Sequence, residues 1–567
     1  MAPSWLKMYR NRRKSWLSFL YQSPVDVNLV QDRKRLATSV QTLVTAQLSD
    51  KEGERSQFDE LERTTSLLNR IRLFLHLYLS IGGSHKKEHK DAALNMLESL
   101  NAERTQLQAL SIWSVSSRAD APAEWKSAQR RRGVSSMPWR SAVSYAEHDR
   151  YASDRHWMMQ YHYDQRLSVA AREHGGMSQL TSGLRALDAD VRLAAAESMC
   201  AWLNTMGDEG EAIFRRQAKL ATQQRFNFAK IDASERALEM ARRVAMERAP
   251  ELSRNYFAMI GSRNDKPAWH DRYAVNARSG EDVTWRVARG HIESLLARLG
   301  PVAVKTGQRV IESSHLIQPK GRGGGFTTPV FFNRKGKVDA GPFVYAPFDG
   351  SFESLRTLAH EMGHAVHACL SAPRGAMLCD AGWAVAETAA FICEQLLLED
   401  DQRARADQDF AMLVHQPSIA MFERELGDSE KEPADQVWLR ALTAHYGHGV
   451  SLDGYSAFWR RHSSSISAIG YPMAYLLGWA LASRVCDNLT VDETATRANI
   501  ITMFKQGGAV GFDDAAALFG ADDIHALMHA AYDKAEIRLA KMQGKRKERF
   551  DGDRQSSKRT GYAAAQS

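Results

Sequence analysis

Cysteine is scarce in this chain, which has only five in 567 residues. Their number is odd, and no two of them form a C-x-x-C pair. A disulfide framework and a thiolate zinc site are therefore not expected. Sparse, unpaired cysteines suit a reducing compartment, and we predict a cytoplasmic location.

Long uncharged runs are also rare, and neither of the two candidates suits a membrane segment. Ser463–Ser483 is uncharged for 21 residues, which is long enough to span a bilayer. Its serines, Gly470 and Pro472 favour a buried loop and helix beside a cleft instead. The apolar stretch Trp16–Tyr21 follows an arginine pair, but it is too short for an export signal and lacks a cleavage site. We predict an amphipathic first helix there and no membrane association.

Positive charge is in excess, but it is confined to the two ends. The net charge is +8; the first 20 residues have five bases and no acid, and the last 27 have eight bases and three acids. The ends thus carry +10 and the interior about −2. A basic groove is not expected, and we predict no nucleic-acid partner. The alternative, a protein that binds nucleic acid through its tails, would show steep salt dependence.

The periodicity of apolar residues divides the chain into regions. Three- and four-residue spacing predicts helices from about 15 to 110, from 150 to 260 and from 352 to 542, with a long surface loop at 114–141. Val302–Ile311, Val330–Phe332 and Phe343–Tyr345 predict a patch of sheet. We expect a helical lobe over 1–184, a main domain over 185–542 and a basic disordered tail over 543–567.

The pattern H-E-x-x-H indicates the chemistry. Two histidines four residues apart on a helix project from one face, so His360 and His364 can reach one zinc ion. Glu361 is then turned toward a water molecule on that ion and can act as its general base. Apolar residues in the segment 355–369 give this helix a buried side.

A catalytic zinc site needs a third protein ligand and leaves its fourth position to water. Glu387 is a lone carboxylate among small and apolar residues of the next helical segment. Burying such a charge without a partner is costly, so a metal explains it; a surface glutamate is the alternative. We predict one Zn²⁺ per chain, bound by His360, His364 and Glu387.

Spacing disfavours other zinc peptidases. Twenty-two residues separate His364 from Glu387. Aminopeptidases resembling thermolysin would need a glutamate where Trp383 stands, and a third-histidine protease would need histidine where Leu370 stands. A zinc peptidase of another zincin family is therefore the second choice.

The sequence resembles the thimet oligopeptidase and oligoendopeptidase F family of zinc metallopeptidases, with oligoendopeptidase F the closer branch. Segments 357–367 and 385–394 are similar to its H-E-x-G-H-x-x-H helix and its third-ligand helix. Segments 320–326 and 342–350 are similar to its glycine loop and substrate-lining strand, and 269–272 to a further block. The resemblance covers about 185–530 and extends to the N-terminal lobe.

The resemblance implies a mainly α fold in which two helical lobes flank a deep cleft, with a zincin-type catalytic core and a small β-sheet. It implies a zinc metalloendopeptidase, with oligopeptides of limited length as substrates. No oligomeric state is indicated. A catalytically silent peptide-binding protein of the same fold is the alternative, although the intact motif with Glu387 argues against it.

Further site residues follow in part from the resemblance. It implies that His462 and Tyr471 donate hydrogen bonds to the oxyanion. It also implies substrate contacts at five positions, namely Gly324, Gly325, Val344, Tyr345 and Tyr475. Tyr471 and Tyr475 could equally be core aromatics, and the glycine loop Gly321–Gly325 could be a plain surface turn. From their helical spacing, His367 and Glu394 are expected to orient the metal ligands, or else to be ordinary polar core residues.

Overall fold

The structure is a computed structural model. It describes residues 20–563, apart from 22, 49–55, 82–86, 118–120, 122, 132–153, 225–230, 262–265, 277–282, 314, 320–323, 334–336 and 430. The helix predicted around Trp16–Tyr21 lies mostly outside the described residues, as do Gly321 and Gly323.

Helices dominate the described residues. Those of the N-terminal third are α1 Val27–Leu48, α2 Ser56–Ile81, α3 Lys87–Ser99, α4 Asn101–Ser117, α5 Ala123–Arg131, α6 Asp154–Glu173 and α7 Met177–Leu184. The middle of the chain contributes α8 Ala189–Asn204, α9 Gly207–Gln224, α10 Glu235–Ile260, α11 Trp285–Arg298 and α12 Pro301–Glu312. The rest comprises α13 Phe352–Ser371, α14 Trp383–Leu397, α15 Gln402–Phe410, α16 Gln416–Asp428, α17 Ala434–Tyr446, α18 Ser464–Ser467, α19 Tyr471–Val491, α20 Glu493–Gln506, α21 Phe512–Ala517 and α22 Ile524–Ala563.

Five short strands lie between α12 and α13, namely β1 Leu316–Ile317, β2 Phe326–Thr327, β3 Phe331–Phe332, β4 Val338–Ala340 and β5 Val344–Tyr345. β5 is the middle strand of one sheet, parallel to β1 and antiparallel to β2. β3 and β4 pair antiparallel in a second sheet. The predicted small sheet is present, and β2 forms its edge nearest α13.

Two hydrophobic cores organise these elements. The larger core extends from Tyr163 to Leu539 and contains the buried sides of α13, α14 and α19. The smaller core joins helices between Leu20 and Leu110 to Phe331 of β3 and to Phe343, which immediately precedes β5. An N-terminal helical lobe therefore packs on the sheet. Ion pairs of Arg70 with Asp339, and of Arg374 with Glu124, also tie this lobe to the rest of the chain.

The two cores do not separate at residue 184, where the sequence predicts the domain boundary. Helix α6 contributes Tyr163 and Leu167 to the larger core. Its first turns place Trp157 and Tyr161 against the smaller one. The two lobes thus share α6, whose first turns face the smaller core and whose later turns face the larger one.

Two secondary-structure predictions are corrected. Val302–Ile311, predicted as sheet, lies in α12; Pro301 starts this helix, and burial at Ala303, Thr306 and Val310 follows helical spacing. The segment 114–141 contains α5. In the tail, the described residues continue α22 as far as Ala563, and its disorder stays a prediction.

No helix in the described part of the chain is both long and apolar enough to cross a bilayer. The uncharged run Ser463–Ser483 instead forms α18, a loop and the first half of α19, most of which is buried. None of the five cysteines is in a disulfide.

Candidate metal centre

Helices α13 and α14 form the base of the site. Ser351 precedes helix α13 as its N-cap, and its side chain accepts a hydrogen bond from the amide of Ser354. The helix buries an apolar side that includes Leu358 and Met362. It crosses α14 at Gly363, where a Cβ atom would stand 2.5 Å from the carbonyl oxygen of Ala389. The missing side chain permits an approach close enough for Glu387 to reach the histidine pair.

The three predicted metal ligands converge. Nε2 of His360 lies 3.4 Å from Oε2 of Glu387, and Nε2 of His364 lies 3.6 Å from Oε1. One ligand atom from each residue lies within 4.8 Å of the other two. Glu387 is 1% exposed, and its Oε2 has no hydrogen-bond partner among the residues that the structure describes. Two imidazole nitrogens and a buried, unsatisfied carboxylate oxygen are a donor set that suits zinc.

The electrostatics of the group also favour a cation. Burial alone would lower the pKa of His360, but the carboxylates of Glu387 and Glu394 raise it to about 10. Burial lowers the pKa of His364 to about 4, which keeps this imidazole neutral and able to bind a metal. The carboxylates of Glu387 and Glu394 therefore favour a bound cation, and the neutral imidazole of His364 offers a nitrogen ligand beside them. Metal binding itself stays a prediction.

Glu394 orients His360. Its Oε2 lies 3.1 Å from Nδ1 of His360, and its Oε1 accepts a hydrogen bond of 2.6 Å from Arg356. Burial would raise the pKa of Glu394, but Arg356 and His360 lower it to about 2. An ionised carboxylate that holds Nδ1 leaves Nε2 free for a metal. The contact agrees with the predicted role, and Arg356 is a partner that the sequence analysis missed.

Replacement of Glu394 with glutamine is expected to weaken metal binding by roughly ten- to a hundredfold, the usual effect of losing such a partner. The amide can still accept from His360, but it no longer carries the charge that Arg356 and His360 share. Competition with a chromogenic chelator measures the affinity. Glu399→Gln, an exposed change just after the same helix, is the control. Equal affinities in the two variants would contradict the role of Glu394.

His367 does not orient a ligand. Its ring stacks on Phe504 at 5.0 Å, and its Nε2 has no hydrogen-bond partner among the described residues. Burial and the neighbouring His364 lower its pKa to about 3. One further turn of helix moves this side chain about 4.5 Å along the axis, away from Glu387 and against α20. The predicted orienting role is corrected to packing.

Glu361 lies beside the edge strand. It is 4% exposed, and its Oε2 accepts a hydrogen bond of 2.7 Å from the hydroxyl of Thr327. Gly325 adjoins it so closely that a Cβ atom would stand 2.7 Å from Oε1. Burial raises the pKa of Glu361 to about 7. A carboxylate with this pKa can both accept and return a proton near neutral pH.

Both tyrosines of α19 belong to the site. The hydroxyl of Tyr471 donates to Oε1 of Glu387. The ring of Tyr475 lies 4.9 Å from that of Tyr471 and 5.7 Å from that of Phe391, and Phe391 in turn contacts the ring of His360. Burial raises the pKa of both tyrosines well above the usual value, so each remains a hydrogen-bond donor.

His462 lies in a different cluster. Its ring is 5.3 Å from that of Trp438 and 5.6 Å from that of His415. Burial, Arg461 and Arg272 lower its pKa to about 3. Among the described residues, no hydrogen bond or ring contact joins His462 to the convergent group of His360, His364 and Glu387. The structure thus gives no support to the predicted oxyanion role of His462.

The predicted substrate-lining strand is not available to a peptide. Val344 is fully buried in the larger core, and β1 and β2 occupy both edges of β5. Tyr345 stacks on Phe326 at 5.0 Å. An extended peptide must therefore pair with β2 instead of β5. Gly324 is exposed just before this strand, and Gly325 lies against Glu361.

A cavity of about 470 Å³ continues from the edge strand. One wall is the segment Thr327–Val330, and the other is α2 with Leu73 and His76. Thr327 contributes to the cavity and also contacts Glu361. The cavity therefore lies between the N-terminal lobe and the sheet, and Thr327 connects its wall to Glu361.

Comparisons with known proteins agree with this architecture. No family model matches the chain, and no curated protein does. Among solved structures, PZ peptidase A with an inhibitor superposes with a TM-score of 0.70 at 15% identity, over 90% of this chain and 97% of that one. Oligoendopeptidase F from Enterococcus faecium superposes with a TM-score of 0.56 at 14% identity, over 91% and 97%.

The fold is therefore a mainly α, zincin-type fold with a small sheet, as the sequence predicts. More specifically, it is the fold of oligoendopeptidase F and PZ peptidase, and the resemblance found in the sequence is confirmed at the level of the fold.

Proposed function

We propose that this protein is a zinc-dependent endopeptidase that hydrolyses short, unstructured oligopeptides. One observation carries the proposal. A buried carboxylate, Glu361, adjoins the convergent group of His360, His364 and Glu387 and is hydrogen-bonded to Thr327, which lines the cavity. The solved structures that share the fold are of peptidases by name, which agrees with this activity.

The residues present fit the reaction. Zn²⁺ held by His360, His364 and Glu387 would supply a Lewis acid that lowers the pKa of water and polarises the scissile carbonyl. Glu361 accepts the proton of the attacking water and returns it to the leaving amine. Tyr471, whose protonated hydroxyl donates to Glu387 in the structure, would turn from that carboxylate to the carbonyl oxygen and stabilise the negative charge there.

The edge strand orients the substrate. Thr328 donates to the carbonyl oxygen of Phe343 at 2.9 Å, and alternate residues of an antiparallel strand direct their peptide groups to opposite edges. The main chain of Thr327 therefore faces away from β5. A peptide that adds as a further strand there brings its backbone beside Glu361. This mode of binding requires an extended, unstructured substrate.

A peptide-binding protein without turnover is the second candidate. Its only support is the strand edge and cavity, which would serve binding alone. Glu361 argues against it, because binding a peptide gives no reason to bury an ionisable carboxylate beside the convergent group. Metal analysis coupled to hydrolysis of a quenched peptide library distinguishes the two. Bound zinc with no cleavage of any peptide would favour the silent binder.

Substrate size gives a further prediction. We expect internal cleavage of unstructured peptides of roughly five to twenty residues, limited below by contacts on both sides of the scissile bond and above by the cleft walls. Casein and a folded domain should be cut slowly or not at all. A peptide ladder digested beside both proteins, with products identified by mass spectrometry, measures this. Rapid cleavage of the folded domain, or release of single terminal residues only, would refute the oligopeptidase proposal.

A further inference from the structure

A second buried carboxylate lies near the site and has no part in the proposed reaction. Glu423 on α16 is 4% exposed. Its Oε1 accepts a hydrogen bond of 2.6 Å from the hydroxyl of Ser465, and its Oε2 accepts one of 2.8 Å from the backbone amide of Gly470. Both oxygens are therefore bound to the segment that precedes α19.

These two contacts enclose the loop between them. Ser465 and Gly470 are five residues apart, and Gly470 adopts a left-handed conformation with φ of 87° just before α19 begins. The next residue is Tyr471, whose hydroxyl donates to Glu387. The carboxylate of Glu423 thus holds the backbone immediately before the side chain that contacts the candidate metal ligand.

We propose that Glu423 is a positioning residue that fixes the hydroxyl of Tyr471 for its role at the oxyanion. This inference rests on the proposed peptidase function. It also gives a role to Ser465, one of the serines in the uncharged stretch Ser463–Ser483, as a hydrogen-bond donor to Glu423. Within the described part of the chain, the buried amide of Gly470 is hydrogen-bonded only to this carboxylate. Loss of the carboxylate therefore leaves the amide unsatisfied and the start of α19 free to shift.

The chain offers variants that separate positioning from general stability. Glu423→Leu removes both acceptors at similar volume. Glu423→Gln can keep both contacts, since its oxygen accepts from Gly470 and its amide donates to the hydroxyl of Ser465. Ser418→Ala removes a different buried hydrogen bond of the same helix, to the carbonyl oxygen of His415, and is the control. Each is made in the parent and in Tyr471→Phe.

Kinetics with a quenched peptide give the first measurement. Tyr471→Phe should lower kcat by roughly a hundredfold, as loss of an oxyanion donor does. In the parent, Glu423→Leu should lower kcat by about tenfold or more with little change in KM, whereas Glu423→Gln and Ser418→Ala should not. In Tyr471→Phe, Glu423→Leu should cost less than about twofold, since both changes act through one hydroxyl. An undiminished kcat in Glu423→Leu, or equal losses in both backgrounds, would overturn the proposal.

A second measurement does not depend on activity. In protein labelled with 3-fluorotyrosine, the ¹⁹F signal of residue 471 is assigned by its absence in Tyr471→Phe. It should shift in Glu423→Leu and stay in place in Ser418→Ala. An unshifted signal overturns the positioning role even if the parent cleaves no peptide. Failure of the proposed function would instead appear as an inactive parent in which this signal still shifts.

Discussion

Replacement of Glu361 with glutamine is expected to lower peptide hydrolysis by roughly 10²–10⁴-fold, the usual contribution of a general base. Glutamine has the same shape, and its oxygen can accept the hydrogen bond that Thr327 now gives to Oε2 of Glu361. It cannot take a proton from water. Because Glu361 is not among the convergent ligand atoms, the variant should bind as much metal as the parent and unfold at a similar temperature.

The measurement needs activity, metal content and thermal unfolding on the same preparations. Glu353→Gln is the matched control, since Glu353 lies in the first turn of the same helix but pairs with Arg185. It should retain parental turnover. Hydrolysis by Glu361→Gln at near the parental rate would mean that another group is the base. Loss of metal or a large drop in unfolding temperature would mean that Glu361 has a structural role.

Local helical geometry explains which site residues could be predicted. His360, Glu361 and His364 lie within five consecutive residues, so the 3.6-residue period alone places the two imidazoles on one face. Glu387 was identifiable because an isolated carboxylate in an apolar helix needs a partner. Glu394 follows it by seven residues, which are two turns, and so reaches the same neighbouring helix.

The structure departs from the expected positions where these depend on packing between distant segments. His367 has the right spacing, but α20 covers that turn of α13 and Phe504 takes its ring. His462 was assigned through the resemblance and not from spacing; α18 and a loop separate it from Tyr471, and its ring lies against Trp438 and His415. Such contacts cannot be calculated from a helical period.

The order of the strands in the sheet could not be predicted from the sequence either. Val344 and Tyr345 have the composition of a strand, and they form one. Nothing in their residue types indicates that β1 and β2 occupy both of its edges. The reverse error at Val302–Ile311 arose because β-branched residues favour strands only as an average tendency. There a proline start and burial every three to four residues favoured a helix.

Loss of the metal is the other large effect that we expect. The parent should contain about one zinc per chain, and Glu387→Gln and His364→Ala should contain far less after dialysis against a weak chelator. Glutamine removes the anion that lies 3.4 Å and 3.6 Å from the two imidazoles. A neutral amide is a much poorer ligand for zinc, and a zinc ion at this site would then lack its nearest negative charge.

Thermal unfolding gives an independent measure of the same site. A ligand that binds only the folded state stabilises it by about 4 kcal/mol at a thousand times its Kd. Added zinc should therefore raise the unfolding temperature of the metal-free parent and leave that of Glu387→Gln almost unchanged. Glu399→Gln, an exposed change at the end of α14, should respond as the parent does. Stoichiometric zinc in both Glu387→Gln and His364→Ala would refute the assignment of these ligands, because each variant lacks one of only three convergent side chains found among the described residues.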